Sequence, residues 1–318
     1  MRGLATALLA GTIALAACGI ETAEFETVAV LGDALPGDAI ALRADGDVIE
    51  YISRRTGEIR SFSQQQTEQP AQGQTRTNVL ATVDVSIEGE QRGLLGHTVI
   101  DGRRYAAWTD IDTLDLVVGE VTSGLIDRLV WAGTGTSSKA VGGHLETRDG
   151  LIVLGLGSLT AWGRDNGSGA LVMLDPDGPA EQDPVVLSDG WNNPFAFTVF
   201  DDGTIWVADN APDGSDLPVA DRDGERIAQA TGDAAGIVEP PPQRAPSAIV
   251  QLPDGRLGVC GFLDNEMRAY EIADGSGTLQ RDGTIGPCLS GATVLDDGTI
   301  VTSSLNGDAP ALLTLAPA

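Results

Sequence analysis

Short apolar or alternating runs recur along this chain, each bounded by turn-forming residues. Residues 195–200 and 204–208 are two such runs, and Asp202-Gly203 stands between them. An Asp-Gly pair between apolar runs predicts a β-hairpin and is compatible with a type I′ turn. The same device recurs at Asp45-Gly46, Asp101-Gly102, Asp149-Gly150, Asp254-Gly255 and Asp297-Gly298, at spacings of 56, 48, 53, 52 and 43 residues. A hairpin repeated at that period fits the four-stranded blade of a propeller. Few segments have the length and 3.6-residue period of a helix, so the fold class is all-β. The expectation is a six-bladed β-propeller over residues 25–318, each Asp-Gly turn joining the innermost strand of a blade to the second.

Taken in order, the pattern predicts a strand at 25–31, before the first repeat. Blade one follows at 39–42, 48–53, 58–62 and 81–87, with residues 64–78 as a polar, glutamine-rich loop. Blade two is expected at 96–100, 104–109, 115–121 and 127–132, and blade three at 144–147, 151–156, 170–174 and 184–187. Blade four shows 195–200 and 204–208, but residues 209–233 are acidic and weakly periodic, and its second half is not legible. Pro240-Pro241-Pro242 reads as a stiff connector. Blade five shows 248–252, 256–260 and 267–272. Blade six shows 292–295, 299–303 and 312–315, and lacks an outer strand. The strand at 25–31 supplies one, closing the ring and removing a free edge.

Charge narrows the partners. The formal net charge is −27, and Lys139 is the only lysine. Such a surface repels nucleic acid and anionic lipid, so nucleic acid is excluded as a partner. The first residues have a different logic. Arg2 precedes an apolar run over 4–17 that is too short to span a membrane and ends in small residues, as a signal peptide does. Its end, Leu15-Ala16-Ala17-Cys18, resembles the lipobox of bacterial lipoproteins. That resemblance implies a signal peptide over 1–17, lipid attachment at Cys18, a tether over 18–24 and an exported protein anchored to the bacterial cell envelope. An exported compartment permits a disulfide between the two remaining cysteines, Cys260 and Cys288, which adjacent blades can bring together.

In a propeller ring, the segments leading into the inner strands converge on one mouth of the channel. Here those segments hold Gln91, Arg92, His144, Asn192 and Asn193, and Asp264 leaves a second strand at the same end. These are the candidate ligand-binding residues, and His144 is the candidate for catalysis, as a base or a ligand. His97 replaces an apolar inner-strand position and reads as structural. The acidic loop carrying Asp209, Asn210, Asp213 and Asp216 offers hard oxygen ligands of the kind calcium takes.

Several of these stretches resemble one family. Gln91-Arg92-Gly93-Leu94-Leu95-Gly96 is similar to a Gly-Leu-Leu-Gly signature of the soluble glucose and sorbosone dehydrogenases. Gly142-Gly143-His144-Leu145, the Gly169 to Gly178 stretch, Asn193-Pro194 and Trp206-Val207-Ala208-Asp209 resemble further elements of that family. The resemblance implies a six-bladed quinoprotein using pyrroloquinoline quinone and calcium to oxidise a sugar. It also exposes departures. The family's histidine base stands just before the glycine pair, where this chain has Ala140 and Val141. Its basic residues before Asn-Pro, near the end of the fifth blade's second strand and leading into blade six are here Asn192, Asp264 and Leu289-Ser290-Gly291. Gln91 is retained. Losing about three charge-assisted contacts to a tricarboxylate costs roughly 5–9 kcal/mol. Arg92, Lys139 and Arg244 lie near the expected mouth and are the candidate replacements. The leading expectation is a degenerate member that binds a small molecule, such as a sugar, without the family's catalytic base. The alternatives are an active quinoprotein sugar dehydrogenase with rearranged cofactor contacts and a calcium-dependent lactonase-like hydrolase.

Overall fold

Six antiparallel four-stranded sheets account for every strand among the described residues. The structure is a computed structural model and describes residues 25–32, 35, 38–63, 77–157, 169–210, 225–230, 237–238, 244–272, 279–306 and 309–317. Strand β1 (Phe25–Gly32) comes first. Blade one is β2 (Ile40–Asp45), β3 (Val48–Ser53), β4 (Glu58–Ser63) and β5 (Thr77–Thr82). Blade two is β6 (Leu94–Ile100), β7 (Arg103–Thr109), β8 (Asp115–Thr122) and β9 (Leu125–Gly135). Blade three is β10 (Gly142–Arg148), β11 (Leu151–Leu156), β12 (Ala170–Leu174) and β13 (Val185–Ser188). Blade four is β14 (Ala196–Val199), β15 (Ile205–Asp209), β16 (Arg226–Gln229) and β17 (Ile237–Val238). Blade five is β18 (Pro246–Gln251), β19 (Leu257–Gly261), β20 (Glu266–Ile272) and β21 (Leu279–Pro287). Blade six is β22 (Ala292–Val294), β23 (Ile300–Asn306), β24 (Ala309–Pro317) and, as its outer strand, β1.

The ring closes as the pattern implied: β1 pairs antiparallel with β24, with Phe25 opposite Pro317 and Gly32 opposite Leu312. All six Asp-Gly pairs lie at the connection of the innermost strand to the second, Asp45 being the last residue of β2. Two differences are instructive. The outer strand of blade one is Thr77–Thr82, not 81–87, because Ala81 pairs with Ile59 and the chain has left the sheet before Val85 bridges Asp110 of the next blade. The turns also fall into more than one class. Asp101-Gly102 and Asp149-Gly150 are two-residue turns with positive φ at both positions, the type I′ geometry. In blades four to six the loop has three residues. Gly203, Gly255 and Gly298 take positive φ, while Asp202, Asp254 and Asp297 each accept the backbone N–H two residues on. Those N–H bonds hold the Asp202 and Asp297 carboxyls below the usual range.

Packing explains the apolar pattern. A second strand is covered by the neighbouring blade on both faces, so β15 and β19 are buried at every position. Six clusters of buried side chains form the core, one at each interface between adjacent blades. Trp108, Trp206, Tyr51, Tyr105 and Tyr270 are the largest fully buried side chains. Cys260 and Cys288 are joined by a disulfide with Cα atoms 5.2 Å apart, within the cluster that packs blade five on blade six. The glycines at 96 and 143 are required by close approach. A Cβ at Gly96 would lie 2.3 Å from the carbonyl oxygen of Gly143, and one at Gly143 would lie 2.4 Å from Leu95 Cβ.

Candidate functional site

The inner strands enclose a channel, and the segments leading into them meet at one end of it. A cavity of about 450 Å³ occupies this mouth, and all six blades contribute to it. On one side stand Gln91, Asn193 and Asn210, with Arg54, Asp38 and Glu90 next to them. On the other side are Phe262, Leu289, Leu305, Pro246 and Pro310, and Phe195 and Ile40 complete the wall. Phe262 is 52% exposed and Leu305 42% exposed, so the rim offers uncovered apolar surface.

Each lead-in backbone is pinned by a side chain. Asp209, 2% exposed, accepts the N–H groups of Asn192 and Asn193 at 2.8–3.0 Å and the Asn192 side-chain amide at 3.1 Å. Glu225 does the same one blade later for Arg244 and Ala245, at 2.6–3.0 Å. Gln91 Oε1 accepts Ala140 N–H at 2.6 Å, and Ser303 Oγ accepts Ser290 N–H at 3.2 Å. Buried amides must be paired, and here two carboxylates, a side-chain amide and a hydroxyl do the pairing.

That pinning decides where the sequence candidates sit. Gln91 and Asn193 line the mouth together, and Asn210 joins them. Asn192 is buried behind them on Asp209. Arg92 turns away from the cavity, giving its Nε to Thr136 Oγ1 at 3.0 Å and a terminal nitrogen to the Thr136 carbonyl at 2.5 Å. Arg244 pairs with Asp264, Nε to Oδ2 at 2.6 Å, and Arg268 reaches the same carboxylate at 3.3 Å. Lys139 is an exposed partner of Glu90 at 3.6 Å. Asp264 therefore serves two guanidinium groups rather than the cavity. Cys18, Asp213 and Asp216 lie outside the described residues. Among the described residues no cluster of three or more His, Cys, Asp or Glu side chains could hold a metal ion.

Arg54 is the cation that the sequence reading missed. It is the one arginine or lysine among the described residues lining the mouth. It donates to the carbonyls of Glu90 and Arg92 at 2.8 and 3.0 Å and lies 3.4 Å from Asp38. Nothing local marks it, because the two carbonyls come from the next blade and Asp38 lies 16 residues away in the segment leading into β2.

A second cavity of about 270 Å³ lies toward the Asp-Gly end and takes in both histidines of the chain. His144 sits here, edge-on to the Phe197 ring at 4.8 Å and 3.6 Å from Glu146. Residues 144 and 146 share a face of β10, which is why both reach the channel. His97 Nε2 lies 3.5 Å from Glu50 Oε2, and Arg104 and Arg43 flank the same carboxylate, Arg104 through a short charged hydrogen bond. Burial alone would raise the Glu50 carboxyl, but His97 and then Arg104 outweigh it and hold it at about 2. Burial pushes the His97 imidazole down, against the pull of Glu50.

No protein-family model and no curated protein matches the chain. Solved structures do. The aldose sugar dehydrogenase of Streptomyces coelicolor, in its PQQ-bound form, aligns over 92% of this chain and 97% of its own with a TM-score of 0.70 at 16% identity. The soluble aldose sugar dehydrogenase of Escherichia coli, in the apo form, aligns over 92% and 100% with a TM-score of 0.65 at 18% identity. The PQQ domain of a pyranose dehydrogenase from Coprinopsis cinerea aligns over 92% and 97% with a TM-score of 0.62 at 12% identity. The chain is a six-bladed propeller with the fold of the soluble sugar dehydrogenases, at a sequence distance where the fold is what is shared.

Proposed function

We propose that this protein is an exported, lipid-anchored propeller that binds a small molecule at its mouth without quinone-dependent sugar oxidation. One observation carries the reading: among the described residues, the mouth has no base before the glycine pair and no cation left over for a cofactor where the resemblance requires them. Ala140 and Val141 are buried and carry no proton acceptor in their side chains. Arg92 and Arg244 are bound to their own walls, and Arg54 is held by two carbonyls and Asp38. A quinone with three carboxylates would meet Asp38, Glu90 and an apolar wall. The residues present do not fit that cofactor. Calcium fits no better at Asp209, whose two oxygens already accept three N–H groups, two from backbone and one from the Asn192 side chain.

The anchor is compatible with an open mouth. Phe25 lies opposite Pro317, close to where Leu315 pairs with Ile300 just after the Gly298 turn, so β1 begins at the Asp-Gly end. A tether from Cys18 would reach the propeller at the end opposite the mouth. Replacing Cys18 with serine should abolish incorporation of a lipid precursor and partition into detergent. Continued labelling in that variant would remove attachment at this residue.

The decisive assay incubates the purified protein with excess pyrroloquinoline quinone, calcium, a panel of aldoses and an electron-accepting dye. The expected result is dye reduction no greater than in a protein-free control. Reduction well above the control, lost on His144→Ala, would establish an active dehydrogenase with a rearranged site. Calcium-dependent turnover of a lactone would instead point to a hydrolase.

A further inference from the structure

We infer that the mouth is built for a neutral amphiphile with one amide-like head and an apolar body, rather than for a polyol. The inference rests on the reading of the mouth as a binding site and names the ligand class. It starts from one orphaned atom. Asn193 is 2% exposed and lines the cavity, yet its Oδ1 makes no hydrogen bond. The orientation of that amide is fixed by a short chain of donors. Ala140 N–H can only donate, so the Gln91 atom 2.6 Å away is its carbonyl oxygen. That oxygen in turn requires the nitrogen of Asn193 to face it, at 3.3 Å. Asn193 Oδ1 is left over as an acceptor, beside Gln91, whose amide nitrogen remains able to donate. A buried acceptor without a partner is costly unless a ligand supplies a donor.

Away from the side carrying Asp38, Arg54, Glu90 and Asn210, the described lining asks for little hydrogen bonding. Ser247, Ser290 and Ser304 line it, but their hydroxyls donate to the Leu289 carbonyl, the Ala39 carbonyl and Asn265 Oδ1 at 2.6, 3.1 and 3.0 Å. Opposite the amides the surface is Phe262, Leu289, Leu305, Pro246 and Pro310. A sugar would set hydroxyls against that wall with nothing to receive them. A primary amide head gives one N–H to Asn193 Oδ1 and accepts one from Gln91, and its hydrocarbon body covers the half-exposed Phe262 and Leu305.

The test is a titration of the purified protein with Nile red, a neutral apolar fluorophore that lacks an N–H donor, followed by competition with decanamide or with glucose. Nile red is expected to bind saturably at one site, to be displaced by decanamide and to be unaffected by glucose. Phe262→Ser combined with Leu305→Ser should weaken both apolar ligands about tenfold or more. Asn193→Ala should weaken decanamide about fivefold and leave Nile red unchanged, which also reports that the variant is folded. Saturable glucose binding without decanamide binding would overturn the amphiphile and leave the mouth as a binding site. Loss of all saturable binding would overturn both. Nile red affinity unchanged in the Phe262/Leu305 variant would place the apolar site elsewhere and defeat the inference.

Discussion

The two cavities of the channel solve the problem of buried polarity in opposite ways. Toward the Asp-Gly end, side chains face side chains: Glu50 gathers the guanidinium groups of Arg104 and Arg43 and the imidazole of His97, and Glu146 faces His144. At the mouth, buried carboxylates and amides are used up on backbone N–H groups; the described lining keeps Asp38, Arg54 and Glu90 on one side, and across from them it is carbon, with one unmatched amide oxygen on Asn193. Within one propeller of net charge −27, the one cation lining the described mouth, Arg54, is already engaged with Asp38 and two carbonyls. The difference teaches that shared topology fixes where a cavity opens, while the pinning of the lead-in segments decides what it can hold.

The largest effect is expected at Glu50. Replacing it with alanine strands two guanidinium groups and a buried imidazole, and should cost about 3–5 kcal/mol by urea denaturation. Nile red binding to the protein that remains folded should not change. If the mouth loses affinity as well, the two cavities are coupled and the contrast fails. The same hub sets the acid response. Glu50 has a folded pKa of about 2, below its unfolded value, so its contribution is present above the unfolded pKa. That contribution is lost as pH falls from about 4.5 toward about 2, and is on the order of 3 kcal/mol. His97, held neutral by burial, adds destabilisation in the same direction, beginning as pH drops below the usual histidine value. Chemical denaturation measured between pH 7 and pH 3 should show a fall that Glu50→Gln reduces.

The disulfide comes next, on the mouth side of the comparison. Cys260 and Cys288 close a loop with a sequence separation of 28 and tie the second strand of blade five to the segment leading into blade six. Removing both as alanine should cost about 3–4 kcal/mol through the entropy returned to the unfolded chain. Because Leu289 and Ser290 follow directly, the same change should loosen the apolar wall and weaken Nile red binding. Unchanged Nile red affinity would show that this wall is held by packing alone.

How much of this could be read from the chain depends on whether the determinant was local. The six hairpins were legible because an Asp-Gly turn and its flanking apolar runs lie within a few residues. The closure by β1 followed from a missing strand in blade six. The end of blade four was not, because Arg226–Gln229 and Ile237–Val238 are short strands beside acidic, weakly periodic sequence. The site was harder. Arg92 and Arg244 stand beside the mouth in sequence, but only Thr136 and Asp264, 44 and 20 residues away, show that they point into walls. His97 read as structural, yet its partner Glu50 lies on another blade. Gln91 and Asn193 were found because the resemblance and the topology both placed them in lead-in segments.

A smaller effect should follow at Gly157, just beyond β11. A Cβ there would lie 1.9 Å from the Ala140 carbonyl oxygen and 2.7 Å from Asn193 Oδ1. Gly157→Ala should cost about 1–3 kcal/mol through overpacking. It should also move Asn193, so decanamide ought to lose more affinity than Nile red. Equal losses for the two ligands would mean that the orphaned oxygen does not distinguish them.

The smallest effect is expected at Lys139, and it sharpens the comparison most cheaply. As the only lysine, 43% exposed in its side chain and 3.6 Å from an exposed Glu90, it is the remaining one of the replacement cations named from the sequence, Arg92 and Arg244 being bound to their walls. An exposed pair of this kind contributes within about 0.5 kcal/mol, since solvent screens both charges. Lys139 does not line the mouth cavity, whereas Glu90 does. Lys139→Ala should therefore leave the unfolding midpoint and the affinities for Nile red and decanamide within error. If the substitution instead abolished binding of an anionic ligand, the mouth would hold a cation that reaches in from its rim. The ionic character assigned to the opposite end of the channel would then belong to both ends.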